Sequence, residues 1–174
     1  MPPVKTIGLV IYRRTPRGRQ YLLLHHRGPY WNFPKGRVEP LRDSDELATA
    51  FRELREETGI PRSAVRLQAG FRVTYRYRFT VSMAGQREPV VKLAIFYLGQ
   101  LAEDRPVKIS HEHLGSDWCE AKTAWQRLYF SNSRKVLQAA QAFLDSRRPA
   151  AMVKPQPRRQ PAMHQKERKR IPSF

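Results

Sequence analysis

The feature that most constrains this chain is a short run of acidic residues on one side of a helical pattern. Six of the 15 Asp and Glu residues lie between Asp43 and Glu57, although the whole chain carries a net charge of +18. Within that run, Glu53, Glu56 and Glu57 are spaced as i, i+3 and i+4. Residues at these spacings are neighbours on a helix, where like charges repel one another. We therefore expect a cation between the three carboxylates.

The residues around these acids have the pattern of an amphipathic helix. Asp43 is a suitable N-cap, with Glu46 three residues later as in a capping box. Gly59 is placed to end the helix in the left-handed conformation. The apolar residues that follow the 3.6-residue period and would face the core are Leu47, Ala50, Phe51 and Leu54. The glutamates lie beside this stripe on a helical wheel, so we predict that they sit at the rim of the core, half removed from water.

Strand patterns on both sides of this helix predict an α/β fold. Four strands are predicted, at residues 4–13, 20–26, 65–80 and 90–101. The last of them is almost wholly apolar, which is typical of a strand covered on both faces. Two further helices are predicted at residues 123–128 and 132–146. The arrangement predicts a sandwich in which a mixed sheet lies between helices.

Charge and cysteine content limit the classes of function. The excess of 33 Lys and Arg over 15 acids favours polyanionic partners such as nucleotides or RNA. Residues 147–174 carry +8 of this charge and are rich in Pro, Arg and Gln, which predicts a disordered tail. The single cysteine, Cys119, excludes an intramolecular disulfide and a zinc site built from cysteines. We find no signal-peptide pattern and no apolar run of about 20 residues, and expect a soluble, cytoplasmic protein without a membrane span.

The stretch R-E-L-R-E-E-T-G-I, from Arg52 to Ile60, resembles the second half of the Nudix hydrolase signature. That signature reads G-x5-E-x7-R-E-U-x-E-E-x-G-U, where U is a bulky aliphatic residue. The resemblance implies a Nudix-type α/β/α sandwich with a mixed central β-sheet. We assign residues 1–146 to a Nudix hydrolase domain and residues 147–174 to the tail.

The first half of the signature differs in this chain. Gly36 lies two residues too far from Arg52, and Leu41 and Arg42 stand where the family has a Gly-Glu pair. We interpret this difference as a two-residue insertion before the helix. The acids that are able to take the structural role of the missing glutamate are Asp43, Asp45 and Glu46.

Within the family, the chain is most similar to the asymmetrical diadenosine tetraphosphate hydrolases. The shared strings include W-N-F-P-K-G-R-V-E-P before the helix and S-H-E-H-L-G-S-D-W after it. The resemblance implies metal-dependent hydrolysis of a nucleoside polyphosphate, in which water attacks phosphorus and diadenosine tetraphosphate yields ATP and AMP. Mg²⁺ or Mn²⁺ is the expected cofactor, since both ions prefer carboxylate, carbonyl and water ligands.

The resemblance also implies site residues. The helix glutamates Glu53, Glu56 and Glu57 would be catalytic and would bind the metal together with the Gly36 carbonyl and Glu112. Residues that would bind the substrate carry a charge or imidazole for phosphate, or a ring for a base: Lys35, Arg37, His25, His111, Tyr75, Tyr77 and Phe130. His26 ends the same predicted strand as His25, and one of the two is expected to face the phosphates.

Other interpretations stay open at this point. The acids alone also fit a solvated helix face held by Arg52 and Arg55. An RNA 5′ pyrophosphohydrolase would make use of the basic body and tail, because RNA binding releases counterions. A non-catalytic Nudix-fold module that binds RNA is a third hypothesis, although such a module has no need for a repulsive set of acids. The tail itself is expected to bind RNA or another polyanion, or to act as a solubilising extension.

Overall fold

The computed structural model describes residues 4–83 and 86–147, and these contain eight strands and three α-helices. The strands are β1 (Val4–Thr15), β2 (Gly18–His26), β3 (Trp31–Asn32), β4 (Lys35–Arg37), β5 (Val65–Leu67), β6 (Val73–Met83), β7 (Gln86–Leu101) and β8 (His113–Glu120). The helices are α1 (Glu46–Thr58), α2 (Ala121–Arg127) and α3 (Ser131–Ser146). None of these helices is both long and apolar enough to cross a membrane. The predicted disordered tail, apart from Arg147, lies outside the described residues.

The eight strands form one mixed sheet. Its central order is β3-β2-β1-β7-β5, and β4, β6 and β8 pair with β1, β7 and β2 respectively. Strands β1 and β7 run parallel, with Ile7 beside Ile95, while the other pairs are antiparallel. Strand β1 therefore joins the two halves of the sheet.

Helices cover both faces of this sheet because alternate residues of a strand point to opposite sides. Ile7, Leu9 and Ile11 of β1 belong to one buried cluster, together with Leu54 of α1. The second cluster joins Val10 and Tyr12 of the same strand to residues of α3, namely Val136, Leu137 and Ala140. The structure thus confirms the predicted α/β/α sandwich.

Helix α1 begins later than the sequence predicted. Asp45, and not Asp43, is the N-cap, and its Oδ1 accepts a hydrogen bond of 2.7 Å from the backbone N–H of Ala48. The predicted capping box is wrong as well, since the Glu46 carboxylate is engaged by Lys5, Arg72 and the Tyr97 hydroxyl. The C-terminal end is as predicted: Gly59 adopts φ 72° and donates its N–H to the Arg55 carbonyl.

Asp43 is used for another contact, which explains why it does not cap α1. Its side chain is only 1% exposed, and its two oxygens accept hydrogen bonds of 2.8 and 2.9 Å from Nε and Nη2 of Arg52. The guanidinium holds the pKa of Asp43 well below its usual range. Nη2 of Arg52 also donates to the Arg37 carbonyl at 2.8 Å. Among the three acids considered for the missing glutamate, Asp43 is therefore the one joined to the signature arginine.

Two other predicted boundaries need correction. The strand predicted at 65–80 is two strands, because the chain turns at Gly70 with φ 87° between β5 and β6. Both strands pair with β7, but at different places: Val65 lies beside Leu101 and Val73 beside Phe96. The helix predicted at 123–128 starts at Ala121.

Candidate functional site

The catalytic candidates meet where β4 passes the middle of α1. Strand β4 is held against β1, with Gly36 beside Ile7. A Cβ atom on Gly36 would overlap the carboxylate of Glu53. Only glycine allows this close approach of backbone and side chain. The Gly36 backbone and the Glu53 carboxylate therefore lie in direct contact.

Glu57 is held in an almost dry environment beside this contact. It is 8% exposed, and its Oε2 accepts a hydrogen bond of 2.9 Å from the backbone N–H of Lys35. Its Oε1 lies 3.4 Å from Nε2 of His113. Burial raises the pKa of Glu57 to about 7, opposed by the charge of Lys35 and assisted by nearby Glu53 and Glu112. A carboxylate in this environment gains more from a cation than one in water.

Glu53 and Glu56 differ from each other in exposure. The Glu53 side chain is 13% exposed and accepts a hydrogen bond of 2.7 Å from Nη1 of Arg52, and burial is the main cause of its raised pKa. The Glu56 side chain is 46% exposed and bridges Arg42 and Arg52 at 2.9 and 3.1 Å. The predicted position at the rim of the core holds for Glu53 and Glu57 and is wrong for Glu56. Arginines do hold this helix face, but they are Arg42 and Arg52, while Arg55 is exposed.

The S-H-E-H segment approaches Glu57, since the backbone N–H of Ser110 donates to the Glu57 carbonyl at 3.2 Å. Glu112 is exposed, and its charge contributes to the raised pKa of Glu57. His111 is also exposed, and its carbonyl accepts a hydrogen bond of 3.1 Å from Arg27. His113 is buried. The charge of Glu112 thus acts on Glu57, while its expected role as a metal ligand stays a prediction.

The donors at this place fit a hard divalent cation in their chemistry. Carboxylates of Glu53 and Glu57 and the backbone of Gly36 supply oxygen atoms, which Mg²⁺, Mn²⁺ and Ca²⁺ prefer. The glycine contact and the buried carboxylate are features that a plain solvated helix face does not need. In the described ranges, no three His, Cys, Asp or Glu side chains are already gathered as a metal cluster. Arg52 and Arg42 hold Glu53 and Glu56 instead.

A cavity of about 280 Å³ lies between the β6–β7 hairpin and the start of α3, and its lining includes Lys35, whose backbone N–H is bonded to Glu57. Aromatic rings and amino groups line it together. Tyr77 lies beside Lys92 across the hairpin, and Tyr75 lies beside Ala94. The lining side chains that carry a ring, an amino group or an imidazole are His26, Tyr30, Lys35, Tyr75, Tyr77, Lys92, Phe96 and Phe130.

The amino groups in this cavity are partly removed from water. Burial lowers the pKa of Lys35, against the opposing charge of Glu57. Burial also lowers the pKa of Lys92, assisted by the charge of exposed Arg37. Positive groups with a low-polarity wall concentrate their field on an anionic ligand. The cavity thus combines rings that can stack on a base with charges that can meet phosphate.

The structure separates the two histidines at the end of β2. His26 lines the cavity, and its ring stacks on Tyr30 with centroids 5.4 Å apart. Burial is the main cause that lowers the pKa of His26 to about 3, so that its imidazole is neutral. His25 instead stacks on Trp31 at 4.7 Å, and its Nε2 lies 3.1 Å from the Gly28 carbonyl. His25 is therefore turned away from the cavity that His26 lines.

Sequence reasoning missed several residues of the cavity. Lys92 and Tyr30 are the main ones, and the polar side chains of Thr6 and Asn32 also line the wall. Lys92 had a usable signal, because it is the lone charge inside the apolar string V-V-K-L-A-I-F-Y-L. Tyr30 had none, since a tyrosine in a loop of glycine and proline does not indicate which element it meets. Its T-shaped contact with Phe130, at 5.3 Å, joins residues 100 positions apart.

A second, more open groove of about 460 Å³ is not a good candidate for the site. It is lined by Arg13, Asp104, Trp118 and their neighbours, and by none of the predicted site residues. Trp118 is partly buried there, packs against the core and lies beneath the Arg13 guanidinium at 4.6 Å. The smaller cavity instead is lined by four of the residues predicted to bind the substrate, namely Lys35, Tyr75, Tyr77 and Phe130.

Comparisons with known proteins identify the family of this chain. Residues 2–140 match the NUDIX domain. The asymmetrical bis(5′-nucleosyl)-tetraphosphatase of Caenorhabditis elegans is 32% identical over 143 residues, which are 81% of this chain and 96% of that protein. The Sus scrofa protein of the same name is 32% identical over 156 residues, or 82% of this chain and 97% of that one. The crystal structure of a C. elegans Ap4A hydrolase binary complex superimposes with a TM-score of 0.70 and 31% identity, covering 82% of this chain and 98% of that one. The chain thus belongs to the Nudix hydrolase family, and its signature helix is α1.

Proposed function

We propose that this Nudix hydrolase cleaves diadenosine tetraphosphate into ATP and AMP, with water attacking a phosphorus atom. The observation that carries the proposal is the position of Lys35. Its backbone N–H is hydrogen-bonded to the buried carboxylate of Glu57, while its side chain lines the cavity of rings and amino groups. A polyphosphate that begins at a base in the cavity would therefore run directly to the catalytic carboxylates. Relatives of matching length are named for this activity.

We assign the acidic side chains to metal binding. Nudix hydrolases use divalent metal ions, and we propose Mg²⁺ or Mn²⁺ here. When bound, the ion neutralises phosphate oxygens and activates water. The residues that would hold it are Glu53, Glu56 and Glu57, with the Gly36 carbonyl and Glu112.

The cavity would hold one nucleoside and the adjoining phosphates. Tyr75, Tyr77 and Phe130 would stack on the base, which is a sequence-tolerant interaction worth about 1–3 kcal/mol per base. Lys35 and Arg37 would meet the phosphate oxygens. The sequence predictions that His25 and His111 touch phosphate stay predictions, and both side chains lie outside the cavity lining.

We further propose that residues 1–146 act as the catalytic domain in the cytoplasm. Residues 147–174 would form a separate basic tail that binds RNA or another polyanion. Removal of the tail separates this role from catalysis. Turnover of a small nucleotide should be unchanged in a chain that ends at Arg147, whereas affinity for RNA should fall and depend less steeply on salt concentration.

The test is product analysis with diadenosine tetraphosphate in H₂¹⁸O, with Mg²⁺, with Mn²⁺ and with a chelator. We expect ATP and AMP in equal amounts, one ¹⁸O in one of the two products, and no turnover with the chelator. Glu57→Gln should be inactive under the same conditions. ADP as the only product would contradict the asymmetric cleavage. No turnover, together with release of pyrophosphate from 5′-triphosphorylated RNA, would favour the RNA pyrophosphohydrolase instead.

A further inference from the structure

His113 is a buried histidine for which the proposed function gives no role. It is the first residue of β8 and is 6% exposed, whereas His111 and Glu112 before it and Leu114 after it are exposed. Its Nε2 lies 3.4 Å from the carboxylate of Glu57, although an apolar residue would fill the same position without a polar group to satisfy. Its contacts indicate what the imidazole does.

The two ring nitrogens of His113 face different partners. Nδ1 lies 2.9 Å from the hydroxyl of Ser110, and Nε2 lies 3.4 Å from Oε1 of Glu57. If the serine hydroxyl donates to Nδ1, the proton of the neutral ring is on Nε2 and faces the carboxylate. Within the described residues, Nε2 is buried and has no aligned hydrogen-bond partner. A buried N–H group is costly unless it is paired, and Glu57 is the acceptor in front of it.

The backbone fixes this ring relative to α1. The N–H groups of Lys108 and Ser110 donate to the carbonyls of Thr58 and Glu57, at 2.9 and 3.2 Å. The N–H of His113 in turn donates to the Ser110 carbonyl at 3.2 Å. The segment that carries the imidazole is thus attached to the end of the helix that carries the carboxylate.

A second histidine packs against the His113 ring. His26 packs edge-on against it, with ring centroids 4.7 Å apart. His26 is in turn stacked on Tyr30. The imidazole of His113 therefore has little room to turn away from Glu57.

We propose that His113 is a positioning residue for the metal-binding carboxylate of Glu57. The Lys35 N–H holds Oε2 and the His113 Nε2–H faces Oε1, so that the two donors together fix the plane of the carboxylate. Residues that hydrogen-bond to a metal-binding side chain orient it toward the metal. Their loss typically weakens metal affinity or activity about 10–100-fold. The proposal rests on the proposed cation site, and it is tested without substrate by metal binding.

The experiment compares two substitutions of the same residue. His113→Phe keeps an aromatic ring of similar size but removes the donor, and His113→Gln returns an amide N–H at a similar reach. Leu114→Ala is the matched control, because Leu114 is the next residue of the same strand and is 59% exposed. The readouts are Mn²⁺ affinity, followed by the EPR signal of the free ion, and kcat and KM with diadenosine tetraphosphate.

We expect His113→Phe to weaken Mn²⁺ binding about 10–100-fold and to lower kcat by a similar factor, with KM changed less than about 3-fold. His113→Gln should recover most of both losses, and Leu114→Ala should match the wild type. Wild-type Mn²⁺ affinity in His113→Phe would overturn the proposal. A loss that His113→Gln does not recover would also overturn it, since packing alone would then explain the effect.

A second variant covers the case in which His113→Phe fails to fold, as seen by circular dichroism. Ser110→Ala leaves the imidazole in place but removes the partner of Nδ1. Under the proposal it lowers Mn²⁺ affinity in the same direction but by a smaller factor, and unchanged affinity would contradict the tautomer assignment. If the wild type binds Mn²⁺ but does not cleave the dinucleotide, the proposed substrate is wrong while the role of His113 stands.

Discussion

The acidic site on α1 and the aromatic cavity beside it are built in opposite ways. The acids come from one short segment, since Glu53 and Glu57 are one helical turn apart and Gly36 is brought to them by a neighbouring strand. The cavity takes its lining from β1, β2, β3, β4, β6, β7 and α3 and from the loops beside them. A site made within one helix depends on local spacing. A site made from many elements depends on how they pack.

The difference predicts a separation of function between the two regions. Changes at the acids should affect the chemical step and metal binding, while changes at the cavity rings should affect substrate binding. An effect of a cavity substitution on metal affinity, or of an acid substitution on KM alone, would break this separation.

The largest effect is expected from Glu57→Gln. The substitution removes the charge of the most buried acid of α1 but keeps its shape and its bond from the Lys35 N–H. We expect kcat to fall by at least about 100-fold, because loss of a metal-binding carboxylate should cost more than loss of a residue that only orients it. Glu120→Gln, at an exposed acid on β8, is the control and should retain wild-type turnover. Steady-state kinetics measure both.

The same variant should be more stable than the wild type at high pH when no metal is present. Burial raises the pKa of Glu57 to about 7, so the folded protein holds this proton more tightly than the unfolded chain does. The resulting loss of stability is absent below about pH 4, develops as the pH rises to about 7 and is complete above it. We expect Glu57→Gln to gain about 1–3 kcal/mol at pH 8. Urea unfolding at pH 4 and pH 8 measures this, and an equal difference at both pH values would contradict it.

Gly36→Ala should have the next largest effect. A methyl group there would overlap the Glu53 carboxylate and displace it from β4. We expect a loss of roughly 10–100-fold in kcat together with weaker metal binding. Gly115→Ala is the matched control, because a methyl group at Gly115 meets no atom within 4 Å. Equal kinetics for the two variants would show that the glycine contact does not matter for the acidic site.

A cavity substitution, Tyr77→Ala, should give a smaller effect of a different kind. Loss of one stacking ring typically costs about 1–3 kcal/mol, so KM should rise about 10-fold while Mn²⁺ affinity stays unchanged. Tyr129 is 61% exposed and is not among the lining residues, so Tyr129→Ala serves as the control. Isothermal titration with Mn²⁺ and steady-state kinetics distinguish the two regions. A reduced kcat with constant KM would mean that the ring acts on the chemical step.

Asp43→Asn should change stability more than activity. The Asp43 side chain is held in a partly buried pair with Arg52, and loss of hydrogen bonds to a charged group typically costs about 1.5–3 kcal/mol. Asp104→Asn removes an exposed Asp–Arg pair of similar length and should cost less than about 1 kcal/mol. Because the pKa of Asp43 is lowered by folding, its contribution is present above about pH 4 and is lost as the pH falls below it. Urea unfolding at pH 7 and pH 3 should therefore show a smaller difference from wild type at pH 3.

The helix and its acids were predictable because their signals are local. The apolar stripe, the i, i+3, i+4 spacing and the terminal glycine all act within one helix, and α1 ends where the sequence predicts. The start of α1 was not predictable from the same signals. Asp43 and Asp45 are both suitable caps, and the choice between them depends on the bond to Asp43 from the side chain of Arg52, nine residues later.

The residues of the cavity, in contrast, could not be predicted from local sequence signals. Tyr75 and Tyr77 are two of several aromatic residues in one strand, and only their pairing with Ala94 and Lys92 places them at the cavity. Neither His25 nor His26 carries a local signal that tells them apart. The end of β2 turns one ring onto Trp31 and the other onto Tyr30.

The sequence by itself determined the fold class, the family and the identity of the acids, because each depends on periodicity and spacing that can be read within single segments of the chain. The tertiary structure decided which acids are buried, since exposure of Glu53, Glu56 and Glu57 depends on β4 and the S-H-E-H segment packing against one side of α1. The tertiary structure also determined which residues line the cavity, because it places Lys92 and Tyr30 beside residues that are distant in the chain. Periodicity indicates which face of an element is apolar, but only packing brings one element to another, and a binding site is made of those contacts.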